Sequence, residues 1–249
     1  MNKYNKIFNE LENNINMADS VDNTKFREWS LNQFFIHKNR YKNDLETIEN
    51  YYGKGDILEI GSYPYHLTFC LKSLGYPIIG LDLNPKRGED FIRKHNLIIK
   101  KCDIEKQKIP FDDGRFELVL FNEILEHLRI DPISTLKEVN RIIKPNGIMV
   151  LTTPNLYSLR KIILFNLGNG FNDPYEEFEK LHTIGHMGHI REYSSKEVKK
   201  LLEKTGFNII NVRYKTYHNV KRKPAPIINL FYYFFPKWRP LQIIISKKI

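Results

Sequence analysis

Apolar positions in the first fifty residues recur at helical spacing, with Phe26, Trp29 and Phe34 followed by Tyr41, Leu45 and Ile48. Few strand signals fall among them, so a helical N-terminal cap is expected over residues 1–50. From Asp56 the pattern changes. Short apolar runs at Ile57 to Ile60, Pro77 to Leu81 and Leu118 to Phe121 alternate with helix-compatible segments at His66 to Leu74 and Pro85 to His95. That alternation is the mark of βαβ units on a parallel sheet, an α/β fold. A further strand at Ile148 to Leu151 is expected after a helix over Ser134 to Ile143, with Lys144-Pro145-Asn146-Gly147 as the turn between them. Residues 154–190 break the rhythm with two glycine-bearing clusters, Gly168-Asn169-Gly170 and Gly185 to Gly188. They are expected to be an insertion over the strand ends, the edge where open α/β sheets bind ligands. A helix over Ser195 to Thr205, capped by Ser194 or Ser195 and closed by Gly206, leads to strands at Phe207 to Tyr214 and Leu241 to Ser246.

Composition narrows the setting. A chain of 249 residues with 41% hydrophobic residues supports one α/β domain with modest decorations. The formal charge of +10 favours an anionic partner. Its lysines read as scattered over predicted surface helices rather than gathered in one block, so the charge reads as composition rather than a binding surface, and the lack of a contiguous Arg-rich tract or an appended RNA-binding module weakens RNA as a partner. Cys70 and Cys102 lie in apolar runs without the close pairing of zinc ligands or a redox couple, as in a reducing compartment. The Asn- and Lys-rich N-terminus has no signal-peptide core, and the apolar run Ile227 to Phe235 is far short of a membrane span, so a cytoplasmic protein is expected.

Chemistry concentrates at the strand ends. The first strand runs into Glu59-Ile60-Gly61-Ser62-Tyr63-Pro64-Tyr65, where a glycine allows a tight turn beneath a ligand. The second ends in Asp82-Leu83, about 20 residues later, the spacing of a carboxylate that grips ribose hydroxyls. A third acid, Asp103 before Ile104, stands at the next strand end. A nicotinamide-dependent dehydrogenase would need further glycines that this loop lacks.

On these residues, from about Ile57 to Leu151, the chain resembles the class I S-adenosylmethionine-dependent methyltransferases. The resemblance implies a Rossmann-like fold, with a mainly parallel seven-stranded sheet carrying helices on both faces. The methyltransferase domain would span residues 51–249, with an acceptor-side insertion at 154–190. It places Gly61 against the methionine part of the cofactor, Asp82 at the ribose and Asp103-Ile104 at the adenine, with Glu59, Ser62, Tyr63, Leu83 and Asn122 completing the cofactor site. Tyr63 and Tyr65 stand where the family's loop has glycines, and Pro64 stiffens the turn between them.

Beyond Asn122, the segment Glu123-Ile124-Leu125-Glu126-His127 sets Glu123, Glu126 and His127 on one helical face by i, i+3 and i+4 spacing. With His189 from the insertion they offer a ligand set for Mg²⁺ or Mn²⁺. Without metal, the carboxylates would cap the helix and border the cofactor pocket. His127, His186 and His189 are the candidate general bases. The segment His189-Ile190-Arg191-Glu192-Tyr193-Ser194 resembles ubiquinone-pathway O-methyltransferases, and the Glu-x-x-Glu-His pattern with a downstream histidine resembles small-RNA 3′-terminal 2′-O-methyltransferases. Both resemblances imply an oxygen acceptor. The expected activity is O-methylation of a small-molecule or glycan hydroxyl. An RNA 2′-O-methyltransferase and a non-catalytic binding protein of the same fold are the alternatives. Residues 221–239 join basic flanks to an aromatic run, compatible with peripheral membrane contact, a homodimer surface or a helix packed between the last two strands, and the packed helix is favoured.

Overall fold

A computed structural model describes residues 3–16, 24–184, 188–217 and 225–249. Helix α1 (Asn5–Asn16) buries Ile7, Phe8, Leu11 and Ile15 along one stripe. Helix α2 (Thr24–Tyr51) turns Phe34, Tyr41, Leu45 and Ile48 into the same core. Trp29 departs from the expected stripe and stays part-exposed, beside the site described below.

Strands β1 (Asp56–Ile60), β2 (Ile78–Asp82), β3 (Ile99–Lys101), β4 (Phe116–Asn122), β5 (Ile143–Pro154), β6 (Phe207–Lys215) and β7 (Leu241–Lys248) form one sheet of order β3-β2-β1-β4-β5-β7-β6. The pairs from β3 to β5 are parallel, as expected, whereas β7 runs antiparallel to both neighbours. The pleat explains why the central strands read as unbroken apolar runs. Ile57, Leu118, Leu120, Ile148 and Val150 pack on one face, while Leu58, Val119, Phe121, Met149 and Leu151 pack on the other. Between strands lie α3 (His66–Ser73), α4 (Glu89–Lys94), α5 (Pro132–Ile142), α6 (Leu159–Asn166), α7 (Pro174–Ile184), α8 (Ser195–Lys204) and α9 (Ala225–Phe234).

Several local expectations are corrected. Lys144 to Gly147 is the start of β5 rather than a turn, because Ile143 already pairs with Phe116 and Gly147 lets the chain pass close to the Glu117 carbonyl. Edge strand β3 is too short and exposed to carry an alternating signal. Pro85 to Gly88 forms a separate 3₁₀ turn before α4. The 154–190 segment contains α6 before its first glycine cluster and α7 between the two clusters, and its first residue, Pro154, closes β5. Ser194, not Ser195, caps α8, through a capping box with Glu197. α9 does lie between the last two strands, but Leu230, Tyr233, Phe234 and Phe235 are exposed, so it is not a helix buried on the sheet.

Candidate functional site

A cavity of about 550 Å³ opens at the carboxyl edge of β1, β2 and β4, under the N-terminal part of α2. Glu59, Gly61, Ser62, Tyr63, Asp82, Leu83, Asp103, Ile104 and Asn122 all reach its wall. Gly61 sits at φ 69°, a left-handed conformation, and a Cβ there would overlap the Ile124 Cδ1 methyl. The Gly61 and Ser62 amides donate to the Leu81 carbonyl at 2.8 and 3.2 Å, fastening the loop to β2. Asp82 closes the clasp. Its Oδ2 accepts from the Tyr63 amide at 3.2 Å, and its Oδ1 accepts from the Asn84 amide at 2.8 Å and from Arg87 at 3.2 Å.

The tyrosines in the glycine loop are accommodated. Tyr65 takes a left-handed φ of 68°, is fully buried and donates its hydroxyl to the Pro85 carbonyl at 3.4 Å. The Tyr63 ring stacks on Trp29 at 5.0 Å, and the Arg87 guanidinium lies 4.2 Å from the same ring. This stack walls one side of the cavity and ties the cap to the cofactor loop. Asn122 is buried with neither amide atom hydrogen-bonded. An orphaned amide costs free energy until a ligand meets it, and the narrow turn at Gly61 leaves room for one, so these residues fit S-adenosylmethionine. Asp103 is partly used by its own turn, accepting from the Glu105 amide at 3.1 Å, and Leu83 is exposed. Burial pushes the Glu59 carboxyl up to about 8, against a hydrogen bond from Thr68 that lowers it.

The far end of the cavity holds the acceptor-side candidates. Glu123, Glu126 and His127 do not share a helix face. The chain leaves β4 through Glu123 at φ 56° into a 3₁₀ turn, Leu125–His127, and this directs Glu123 elsewhere. Its carboxylate accepts from Thr152 at 3.0 Å and from the Tyr217 hydroxyl at 2.7 Å. Glu126, His127 and His189 converge instead, each offering a ligand atom within 4.8 Å of the others. Glu126 is fully buried, with Oε2 accepting from Thr153 at 2.8 Å and Oε1 without a hydrogen bond. Burial and then the neighbouring Glu123 charge raise its carboxyl well above the ordinary range. His127 Nδ1 donates to the Gly188 carbonyl at 2.8 Å, and His189 Nδ1 meets Glu192 Oε1 at 3.0 Å. The other oxygen of Glu192 pairs with Lys161, whose ammonium is lowered by burial to about 8. His186 lies outside the described residues.

Sequence reasoning missed the residues that α2 contributes. His37 and Arg40 line the cavity, with His37 Nδ1 and Arg40 Nε lacking hydrogen bonds. Arg40 pairs with buried Asp44 at 3.6 Å, and burial raises the Asp44 carboxyl to about 7. A signal existed in the charged and imidazole side chains that interrupt the stripe Phe34, Tyr41, Leu45, Ile48. For Lys161 and Glu192, 31 residues apart on different elements, no spacing pattern pointed to the pair.

Residues 35–212, most of the chain, match the methyltransferase domain family. An uncharacterised Methanocaldococcus jannaschii protein is 27% identical over 187 residues, covering 70% of this chain and 71% of that one. A demethylmenaquinone methyltransferase of Staphylococcus saprophyticus is 30% identical over 57% of this chain and 65% of its own length. A ubiquinone biosynthesis O-methyltransferase of Pelagibacter ubique is 30% identical over 40% of this chain, and the match spans only 42% of that relative. A solved S-adenosylmethionine-dependent methyltransferase from Archaeoglobus fulgidus superposes with TM-score 0.59 at 19% identity, covering 88% of this chain and 99% of that one, a likeness of fold. The chain is thus a member of the methyltransferase domain family, an enzyme that transfers a methyl group from S-adenosylmethionine.

Proposed function

We propose that this enzyme methylates a hydroxyl oxygen of a small-molecule or glycan acceptor, with His189 as the general base. The observation that carries the reading is the tautomer imposed on the two histidines. A carbonyl can only accept, so His127 Nδ1 holds the proton toward Gly188, and His189 Nδ1 donates to the carboxylate of Glu192. In both rings the lone pair then lies on Nε2, and both rings and Glu126 line the same cavity wall. S-adenosylmethionine supplies an electrophilic methyl on a sulfonium, and what the chain must add is an oriented hydroxyl and a place for its proton. His189 takes that proton, and the Glu192 carboxylate stabilises the resulting imidazolium. Lys161 holds Glu192 in place through its other oxygen. Buried Glu126, with Oε1 unpartnered, orients the hydroxyl. A relative named for ubiquinone biosynthesis O-methylation supports oxygen as the acceptor atom.

A divalent ion is the second reading, favoured by the convergence of Glu126, His127 and His189. Two imidazoles and one carboxylate fit Mn²⁺ better than Mg²⁺, with Gly188 and Glu192 as the outer partners that orient the rings. Glu123, occupied by Thr152 and Tyr217, stands apart from this set. The test is methyl transfer from labelled cofactor to a panel of phenols, catechols and glycans, with and without chelator. Transfer to oxygen that survives excess chelator supports the histidine base. Loss restored by Mn²⁺ supports the ion. Methylation confined to nitrogen or carbon overturns the oxygen reading altogether.

A further inference from the structure

The positive charge is not scattered over the whole chain. Residues 1–203 hold 29 Lys and Arg against 29 Asp and Glu, whereas residues 204–249 hold 10 Lys and Arg and no acid, so the entire excess of +10 belongs to the C-terminal segment. That segment also carries an exposed, largely aromatic surface. Around α9, Leu230 is 60% exposed, Tyr233 74%, Phe234 64% and Phe235 48%. None of the ten residues of α9 is charged, and Asn229 and the hydroxyls of Tyr232 and Tyr233 are its polar side-chain groups.

This surface is held rigidly, and by polar contacts rather than by burying its apolar side. Arg239 donates to the carbonyls of Tyr214 and Tyr232 at 3.0 and 3.1 Å. Asn155, just after β5, donates to the carbonyls of Lys237 and Arg239 at 2.8 Å each. Phe231, Phe235 and Trp238 stack on one another with centroids 4.8 to 5.0 Å apart. Register fixes its place in the molecule. Leu241 pairs with Pro154 and Lys215, so α9 stands at the carboxyl edge of the sheet, the edge that carries the cavity. Lys215, opposite Leu241, and Lys237 flank it there, whereas the Arg213 guanidinium donates to the Tyr51 hydroxyl.

We propose that this edge docks on an anionic lipid surface, with the α9 aromatics entering the headgroup boundary and the surrounding cations meeting the phosphates. A second copy of the chain is disfavoured by charge, because an isologous contact centred on α9 would set Lys215 and Lys237 against their own copies. A nucleic acid would stack bases in a positively charged groove, whereas these aromatics project from a helix with almost no polar groups. The inference does not depend on which atom the enzyme methylates.

Vesicle flotation of the full chain tests it, using phosphatidylcholine vesicles with and without phosphatidylglycerol, at low and high salt. Binding is expected on the anionic vesicles, at least about tenfold weaker on the neutral ones, and reduced by salt. The double variant Tyr233→Ser/Phe234→Ser should weaken anionic-vesicle binding at least about tenfold, since each ring adds its own apolar burial. Thermal stability and cofactor affinity should stay unchanged, because both side chains are exposed. Lys237→Gln should weaken binding roughly fivefold. The proposal is overturned by equal binding to neutral and anionic vesicles, by binding that survives loss of the two rings, or by binding to an RNA oligonucleotide with none to vesicles. It is also overturned by a stable dimer in sedimentation that dissociates when Tyr233 and Phe234 are replaced.

Discussion

Gly61→Ala probes the turn on which the cofactor site depends. At φ 69° an alanine pays the steric cost of a left-handed backbone, about 1–2 kcal/mol. Its Cβ would also overlap Ile124 Cδ1 and stand 3.1 Å from Ile124 Cγ1. Cδ1 is the end of a side chain that can swing, so relief by moving Ile124 off its rotamer adds about 0.5–1.5 kcal/mol. The expected total is roughly 2–3 kcal/mol, a fall in Tm of roughly 5–10 °C for a chain of this size. Adding Ile124→Val removes Cδ1 and should return the overlap part while leaving the backbone strain. Urea denaturation of wild type, both single variants and the double should therefore give a coupling energy of about 1 kcal/mol. Additivity of the two substitutions would show that the overlap is not what Gly61 avoids, and wild-type stability of Gly61→Ala would refute the turn geometry itself.

Replacing Asn122 with Leu should leave the cofactor-free protein as stable as wild type, since neither amide atom is hydrogen-bonded in the fold, while weakening S-adenosylhomocysteine binding by ~1–2 kcal/mol in calorimetry. Asp82→Ala should lower both, by ~1–3 kcal/mol in affinity and by a measurable shift in Tm, because its oxygens also hold Tyr63, Asn84 and Arg87. Burial raises the folded Glu59 carboxyl from 4.5 to about 8, so the native state binds the extra proton and stability falls as pH rises through that window; Glu59→Gln should flatten the loss in urea midpoints. His66 behaves oppositely. Burial lowers it from 6.5 to about 3, so stability falls as pH drops through that range, and His66→Gln should remove that acid-side slope. If His189 is the base, Glu192→Gln should cut kcat by roughly 10- to 100-fold and move the acidic limb of the kcat profile to lower pH, with KM little changed.

The sheet and the cofactor half of the site were legible because they are local. Gly61 and Asp82 each close a short apolar run, and chain order alone puts successive parallel strand ends side by side. What escaped was set by geometry that period and spacing do not encode. Glu123, Glu126 and His127 fit a helical face on paper, yet the left-handed Glu123 and the 3₁₀ turn after it send one carboxylate to Tyr217 and the other to the histidines. The antiparallel β7 likewise follows from where α9 returns the chain, not from the residues of the strand.

The α2 helix shows why a periodic stripe can hide function. Its apolar residues pack α1 and the sheet, and on that evidence the cap is merely structural. The same stripe also carries His37 and Arg40 to the cavity and lays Trp29 on Tyr63. Trp29, Tyr63 and Arg87 come from three separate elements, so displacing any one of them exposes the others. The cap is also tied to the residue just after the cofactor loop, since Ser30 and Tyr41 both hydrogen-bond His66 at 2.9 and 3.2 Å. The Asp82 end, where Arg87 and the Tyr63 amide both meet the carboxylate, is thereby joined by the Trp29 stack to the helix that carries His37 and Arg40. The two ends of the cavity therefore share a wall made from the part of the chain that, read alone, promised only packing.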